Sequence, residues 1–184
     1  MREWGHHRYK GKSLWWPTLA RNKKSVTVNL REKKGQEIVR KLIASADGLI
    51  ENFKPGTLEK WGMSPEELHK INPKLIIVRV SGFGQTGPLR ELPAYDMVVQ
   101  GMGGLMSVTG QPNSEPTRVG TSIGDITAGL FTAIGINAAL YDRQKTGKGA
   151  FIDVSMLDCQ IAILENAIAR YLSKNEIPEP MGSR

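Results

Sequence analysis

The sequence predicts an α/β fold, a parallel sheet with helices on its faces, and three observations carry that expectation. Strand-like and helix-like segments alternate along the 184 residues, the pattern of parallel strands joined by crossover helices. Leu75-Ile76-Ile77-Val78-Arg79-Val80 is an almost unbroken apolar run, which suits a strand covered on both faces. Residues 128–140 form a long run of small and apolar residues that reads as a buried helix.

In chain order, residues 1–20 are basic and aromatic, with Trp4, Trp15 and Trp16 but no period, and are expected to be irregular. Ser25-Val26-Thr27-Val28-Asn29-Leu30 alternates as a strand does. Residues 35–46 are amphipathic, with Ile38, Leu42 and Ile43 at helical spacing. Gly48-Leu49-Ile50 is a short strand, and two short helices follow over 57–61 and 65–71. Ser64 is the expected N-cap of the second, with Glu67 completing a capping box. After the strand at 75–80 comes a glycine- and proline-rich loop, 81–93, then a helix over 95–108. A helix over 123–143, a strand over 151–154 and an amphipathic helix over 156–172 complete the pattern. Residues 173–184 look like a linker cut short. Residues 21–172 are therefore the folded portion.

Composition narrows the function classes. The net charge of +7 is concentrated at the start, where residues 1–41 hold twelve Lys/Arg against three acids. A basic segment of this kind fits a polyanionic partner, either nucleic acid or a nucleotide cofactor with several phosphates. No zinc-ligand spacing, RNA-stacking motif or recognition-helix pattern accompanies it, so neither nucleic acid nor metal is expected as a partner. No apolar run approaches the roughly 20 residues that cross a bilayer, and no signal peptide is visible, so no membrane is expected either. The single cysteine, Cys159, lies in an apolar helical pattern and reads as a buried thiol. It fits a reducing compartment, the cytoplasm or an organelle matrix (mitochondrial or peroxisomal).

Gly82-Phe83-Gly84-Gln85-Thr86-Gly87 matches the dinucleotide glycine pattern and follows a strand. That reading requires a helix opening on the loop, and Pro88 and Pro93 oppose one. The loop still lies at the carboxyl end of a strand, where open α/β sheets bind ligands.

Asp125 is the most telling single residue. It is the only acid between Glu115 and Asp142, and it sits where the long apolar helix begins, beside Gly124. The helix N-terminus favours an ionised carboxylate there. Such a group either caps the helix or serves as a nucleophile at the edge of an apolar core.

Four segments in order decide between these readings: Arg21-Asn22-Lys23-Lys24-Ser25-Val26-Thr27-Val28-Asn29-Leu30, Glu51-Asn52-Phe53-Lys54-Pro55-Gly56, Ser81-Gly82-Phe83-Gly84-Gln85-Thr86-Gly87-Pro88, and Gly124-Asp125 with its helix. Thr146-Gly147-Lys148-Gly149 and Asp153-Val154-Ser155-Met156 continue the set. Together they resemble the class III CoA-transferase family, which includes formyl-CoA:oxalate and carnitine CoA-transferases, over residues 19–172. The resemblance implies a Rossmann-like large domain, here incomplete at both ends because family members are about twice this long. It implies that Asp125 attacks a donor acyl-CoA to give a mixed anhydride and then an aspartyl-CoA thioester, from which an acceptor carboxylic acid takes CoA.

It further implies that Val28, Asn29, Leu30 and Arg31 lie against the adenosine part of coenzyme A. Asn52, Phe53 and Lys54 line the path beside it, Lys60 sits near the nucleotide, and Pro93, Ala94, Tyr95 and Asp96 meet the pantetheine end. Taken alone, the lysines read more readily as solvated surface charges, Asn52 as a turn residue and Tyr95 as part of the core. The resemblance also implies, for the full-length protein, a homodimer of interlocked chains. The α-methylacyl-CoA racemases share the fold but use a histidine where this chain has Tyr95, a poor base at neutral pH. An α-methylacyl-CoA racemase-like enzyme and a noncatalytic CoA- or nucleic-acid-binding fragment are the competing readings.

Overall fold

The computed structural model describes residues 2–183, so Met1 and Arg184, the outermost residues of the two end segments, lie outside the described residues. Three parallel strands form the central sheet: β3 (Gly48–Glu51), β4 (Ile76–Ser81) and β5 (Ala150–Ser155), in the order β3-β4-β5. The expected α/β class is therefore the observed one. Because the sheet is parallel, all three strands end on the same side. Glu51, Arg79 and Asp153 lie on one rung near that end.

The apolar run of β4 divides its side chains between two layers, as the two-residue period of a strand requires. Ile76 and Val78 pack into a core with Val99, Ala128, Val154, Met156 and Cys159. Leu75 and Ile77 point the other way, into a second core with Ile43, Leu58, Met63 and Leu68. The helices follow from this division. α2 (Lys33–Ile43) and α3 (Pro65–Ile71) contribute to the second core, and α4 (Asp96–Met102), α5 (Ile123–Thr146) and α6 (Met156–Ala162) to the first.

α5 is buried on one side only. Gly124, Thr127, Ala128 and Thr132 are buried, while Leu130, Ile134 and Tyr141 remain exposed. The small residues recur every three or four positions, which lets the helix approach the sheet closely, and at Gly135 an added Cβ would lie 3.3 Å from Ile152. α5 also corrects the membrane reading of the sequence. Its 24 residues are long and apolar enough, by length and composition, to cross a membrane, with a mean hydropathy of 1.4 over its most apolar stretch. The scattered polar residues hid that length from a search for an unbroken run. Gly147 ends the helix with a left-handed φ of 69°, its N–H bonding the Arg143 carbonyl at 2.8 Å.

Four local expectations differ from the structure. Residues 25–29 form no strand and Leu30 lies in a turn, and Val26 is exposed, because no neighbouring strand pairs with them. The amino-terminal segment is not irregular throughout: β1 (Arg8–Tyr9) pairs antiparallel with β2 (Lys12–Ser13), and α1 (Trp15–Ala20) follows. The helix expected over 95–108 ends at Met102, and a 3-10 turn covers Met106–Val108. Gly103 and Gly104 interrupt it, Gly104 with a φ of 85°. The closing helix breaks into α6 and α7 (Asn166–Lys174) at Glu165, whose φ is 45°. Apolar periodicity runs through that break and gave no sign of it.

Ser64 caps α3 as expected, its Oγ accepting the Glu67 N–H at 3.3 Å. The reciprocal half of the capping box is missing, since Glu67 pairs with Lys70 and the Ser64 hydroxyl donates to Glu66 at 2.6 Å. Ser64→Ala is expected to cost about 1 kcal/mol of folding free energy, read by urea denaturation. An unchanged midpoint would mean that the cap contributes nothing.

Candidate active site

The loops that leave β3 and β4, together with the first half of α5, enclose a cleft of about 930 Å³. This is where a parallel sheet presents its loops to a ligand. Asn52, Phe53 and Lys54 form one wall and Leu92, Pro93, Ala94 and Tyr95 another. Asp125, Ala128, Gly129 and Thr132 of α5 line the same space.

Asp125 occupies the first turn of α5. Its side chain does not cap the helix at Ser122, so the capping role considered from sequence is not what the geometry shows. The expected electrostatics are also corrected. Although the residue is exposed at the cleft wall, loss of water raises the Asp125 carboxyl above its ordinary range, and the negative charge of Asp96 adds to the rise. Arg118 acts in the opposite direction without cancelling it. The helix N-terminus therefore holds a carboxylate that is less comfortable as an anion than a free aspartate. That condition favours attack on an electrophile over idle solvation.

Asp96 holds this arrangement together. Its buried carboxylate accepts the Gly124 N–H at 2.8 Å through Oδ1, and the Gln100 amide at 2.8 Å and the Arg118 guanidinium at 3.0 Å through Oδ2. Gln100 in turn accepts the Val119 N–H at 2.9 Å. The loop entering α5 is thereby fixed to α4, and Asp125 with it. Gly124 is buried, and a Cβ there would lie 2.7 Å from Val99 and 3.1 Å from Asp96. Its smallness serves the close approach of α5 to α4.

Of the residues singled out in the sequence, Asp125, Asn52, Phe53, Lys54, Pro93, Ala94 and Tyr95 line this one cleft. Tyr95 is 80% exposed and stands at the N-cap of α4, so it is not part of the core. Phe53 meets Trp61 edge-on at 6.1 Å between ring centres, which steadies the wall. Lys54 lies 3.6 Å from Glu91, an exposed pair across the mouth. Val28, Asn29, Leu30, Arg31, Lys60 and Asp96 do not line the cleft. For Asp96 the reason is that both oxygens are taken internally. Arg31 and Lys60 are exposed and outside it.

Sequence reasoning missed Lys23, Glu51 and Met156, all of which line the cleft. Lys23 was within reach of inference, since it lies in the basic stretch before the predicted strand. Glu51 was hidden by its place at the end of a strand, where it reads as a solvated terminus. Burial in fact raises its carboxyl above the ordinary range, against the Phe53 N–H and the Arg79 charge. Among the described residues, no group of three or more His, Cys, Asp or Glu side chains is placed to hold a metal.

A carboxylate in the first turn of a helix, facing a roomy cleft at the carboxyl edge of a parallel sheet, is an arrangement that α/β enzymes can use for group transfer. The chain belongs to the CoA-transferase family III, whose model matches residues 1–184. It is 49% identical over 183 residues to the succinyl-CoA–D-citramalate CoA-transferase of Chloroflexus aurantiacus, covering 100% of this chain and 46% of that protein. It is 46% identical to the acetyl-CoA:oxalate CoA-transferase of Acetobacter aceti, over 94% of this chain and 44% of the relative. Among solved structures, a CAIB/BAIF family protein from Brucella suis superposes with a TM-score of 0.93 at 42% identity, over 98% of this chain and 49% of that one. The chain thus spans about half the length of these relatives.

Proposed function

We propose that this chain carries the nucleophile and much of the thioester cleft of an enzyme that moves CoA from an acyl-CoA to a carboxylic acid. The observation that carries this reading is the Asp125 carboxyl, held at the head of α5 on the wall of a cleft of about 930 Å³. Family membership and the names of the relatives support the choice of reaction, since those names describe CoA transfer between small acids.

The Asp125 carboxylate attacks the thioester carbonyl carbon, the C–S bond breaks, and CoA leaves as a thiolate beside a mixed anhydride. The thiolate then attacks the aspartyl carbonyl, releasing the donor acid and leaving an aspartyl-CoA thioester. The acceptor carboxylate attacks that thioester, and the expelled thiolate takes the acceptor's acyl group from the second anhydride, restoring Asp125. No proton is needed at any step, which suits a site whose cleft walls offer Tyr95 but no histidine. The absence of a histidine from those walls also argues against racemisation. Fixed proximity of carboxylate to thioester supplies most of the advantage over solution.

Hydroxylamine added with acyl-CoA is expected to trap a hydroxamate on Asp125, located by peptide mass spectrometry. Labelling elsewhere, or none under turnover, would refute the scheme. A screen of donor and acceptor acids, read by thioester exchange, identifies the substrates.

Lys23 extends the site toward the phosphates of CoA. Lys23 lines the cleft while its Nζ donates to the Leu19 carbonyl, and an ammonium released from that bond would suit an anion rather than the reacting carbonyl. Lys23→Ala is expected to raise KM for acyl-CoA about fivefold with little change in kcat, and the difference should shrink at high salt. Equal KM at low ionic strength would place the phosphates elsewhere.

We also propose a homodimer. Leu130, Ile134 and Tyr141 form an exposed stripe along α5, and an apolar stripe of this length favours association. Light scattering coupled to size exclusion tests it, and a monomer at micromolar concentration would exclude it.

A further inference from the structure

Arg79 stands out as a buried guanidinium that the reaction scheme does not use. Only 4% of it is exposed, in the middle strand of the sheet, on the face that carries the second core. Its Nε lies 3.0 Å from Glu51 Oε1, close enough for an ion pair, although the N–H is not aimed along that line. Its Nη1 bonds to Glu59 on the 3-10 turn Glu59–Trp61, and lies 3.4 Å from Gln85 Oε1. The Phe151 ring of β5 lies 5.7 Å from its central carbon.

The partners of Arg79 are themselves bonded to the cleft walls. Glu51 Oε2 accepts the Phe53 N–H at 2.6 Å, which sets the turn Asn52-Phe53-Lys54. Asp153, directly across from Arg79 on β5, accepts the Gln85 N–H at 2.8 Å, and a Cβ on Gly84 would lie 3.3 Å from the same carboxylate. Gln85 is thus gripped from both sides, by Asp153 at its backbone and by Arg79 at its side chain. The glycine loop and the Asn52-Phe53-Lys54 turn come from different strands, and Arg79 reaches toward both, by its ion pair with Glu51 and its contact with Gln85 Oε1.

We propose that the Glu51–Arg79–Asp153 rung is a positioning device for the thioester cleft, with Arg79 holding the Asn52-Phe53-Lys54 turn and the Gly82–Gly87 loop in a fixed relation from behind. The proposal rests on the CoA-transferase reading for its consequence, but not for its geometry. A guanidinium suits the task because it is always charged and presents donors in a rigid fork, which a lysine cannot reproduce. The glycine loop then has a role other than binding a pyrophosphate. No helix opens on it, and it is bound instead through Gln85.

The test uses Arg79→Lys, which keeps the charge and loses the fork, Glu51→Gln, and Gln85→Ala, whose partly exposed side chain can be removed without opening the core. In the full chain, hydrogen exchange at the Phe53 and Gln85 amides is expected to accelerate about tenfold in Arg79→Lys while the amides of α5 keep their protection. In the same variant KM for acyl-CoA is expected to rise about tenfold with kcat within about twofold, and Gln85→Ala is expected to show a smaller rise of the same kind. A merely structural residue would reduce the active fraction, lowering apparent kcat at constant KM. Wild-type exchange at both amides overturns the device whatever the enzyme does. Faster exchange with KM unchanged overturns its role in binding. If the wild-type enzyme, assayed at the full length of its relatives, transfers no CoA, the functional reading fails, and the exchange result still decides whether the rung fixes the loops.

Discussion

Asp125→Asn is expected to lower CoA transfer by at least about a thousandfold, because an amide cannot form the anhydride on which both halves of the proposed reaction depend. Acyl-CoA binding should persist, since asparagine is nearly isosteric and the remaining cleft residues are untouched. Stopped-flow CoA release and isothermal calorimetry separate these two outcomes. Residual transfer near the wild-type rate would place the nucleophile elsewhere.

The same variant makes a stability prediction with a definite sign. The folded-state carboxyl of Asp125 is raised above its ordinary value of 3.8, chiefly by loss of water and then by Asp96. The native state therefore binds more protons than the unfolded state between that value and the raised one. Stability falls as pH climbs through this window, and the penalty stays constant above it. Asparagine carries no charge to penalise, so the variant should unfold at a temperature no lower than the wild type at pH 7. Only the direction is meaningful, because the carboxyl is partly exposed and screened by solvent. Catalysis follows the opposite limb. The carboxylate must be ionised to attack, so kcat/KM should fall on acidification at a pH above that of an ordinary aspartate. A profile flat to pH 4 would contradict the raised value.

Much of this site was legible in the sequence. Asp125 stood out because it was a lone acid at the start of an apolar helix, and Phe53 and Tyr95 through the resemblance of their segments to the CoA-transferase family. Period-two and period-3.6 patterns located β4, α2 and α3 within a few residues, since burial dictates those residues one by one. What the sequence hid was determined by contacts distant along the chain. Residues 25–30 alternate properly and still form no strand, because pairing depends on a neighbour that propensity does not supply. Arg79 interrupts an apolar run and gives no hint that Glu51, Glu59 and Gln85 converge on it. Asp96 looked like a wall of the cleft, next to Tyr95, yet the start of α4 turns it inward while Tyr95 faces out. A one-residue difference on a helix terminus changes the direction by about 100°, which loop spacing cannot resolve.

That inward turn makes Asp96 the residue whose loss should most disturb the fold around the nucleophile. Asp96→Ala strands the buried Gly124 N–H, leaves the buried Gln100 amide only its long 3.4 Å bond to the Thr121 carbonyl, and frees Arg118. Arg118 is 43% exposed, so its share is small, as for any half-solvated pair. The two buried donors account for most of the loss, and together with the vacated volume they are expected to cost about 3 kcal/mol. For a chain of this size that corresponds to a fall in Tm of roughly 6–12 °C by differential scanning calorimetry. Asp96→Asn is the informative companion. Its carbonyl oxygen can still accept the Gly124 N–H, but its NH2 group then faces the Gln100 amide and Arg118, donor against donor. The expected loss is about half as large. Both variants remove the negative charge that helps to raise the Asp125 carboxyl, so the acid limb of kcat/KM should move to lower pH in whatever fraction remains folded. Thermal stability within 1 °C of wild type in Asp96→Ala would mean that water or a rearranged Gln100 satisfies the donors. An acid limb that stays in place would mean that Asp96 only builds the turn and does not tune the nucleophile. A lower Tm and a lower acid limb together would establish that one buried carboxylate both anchors α5 and sets the charge state of the residue that reacts.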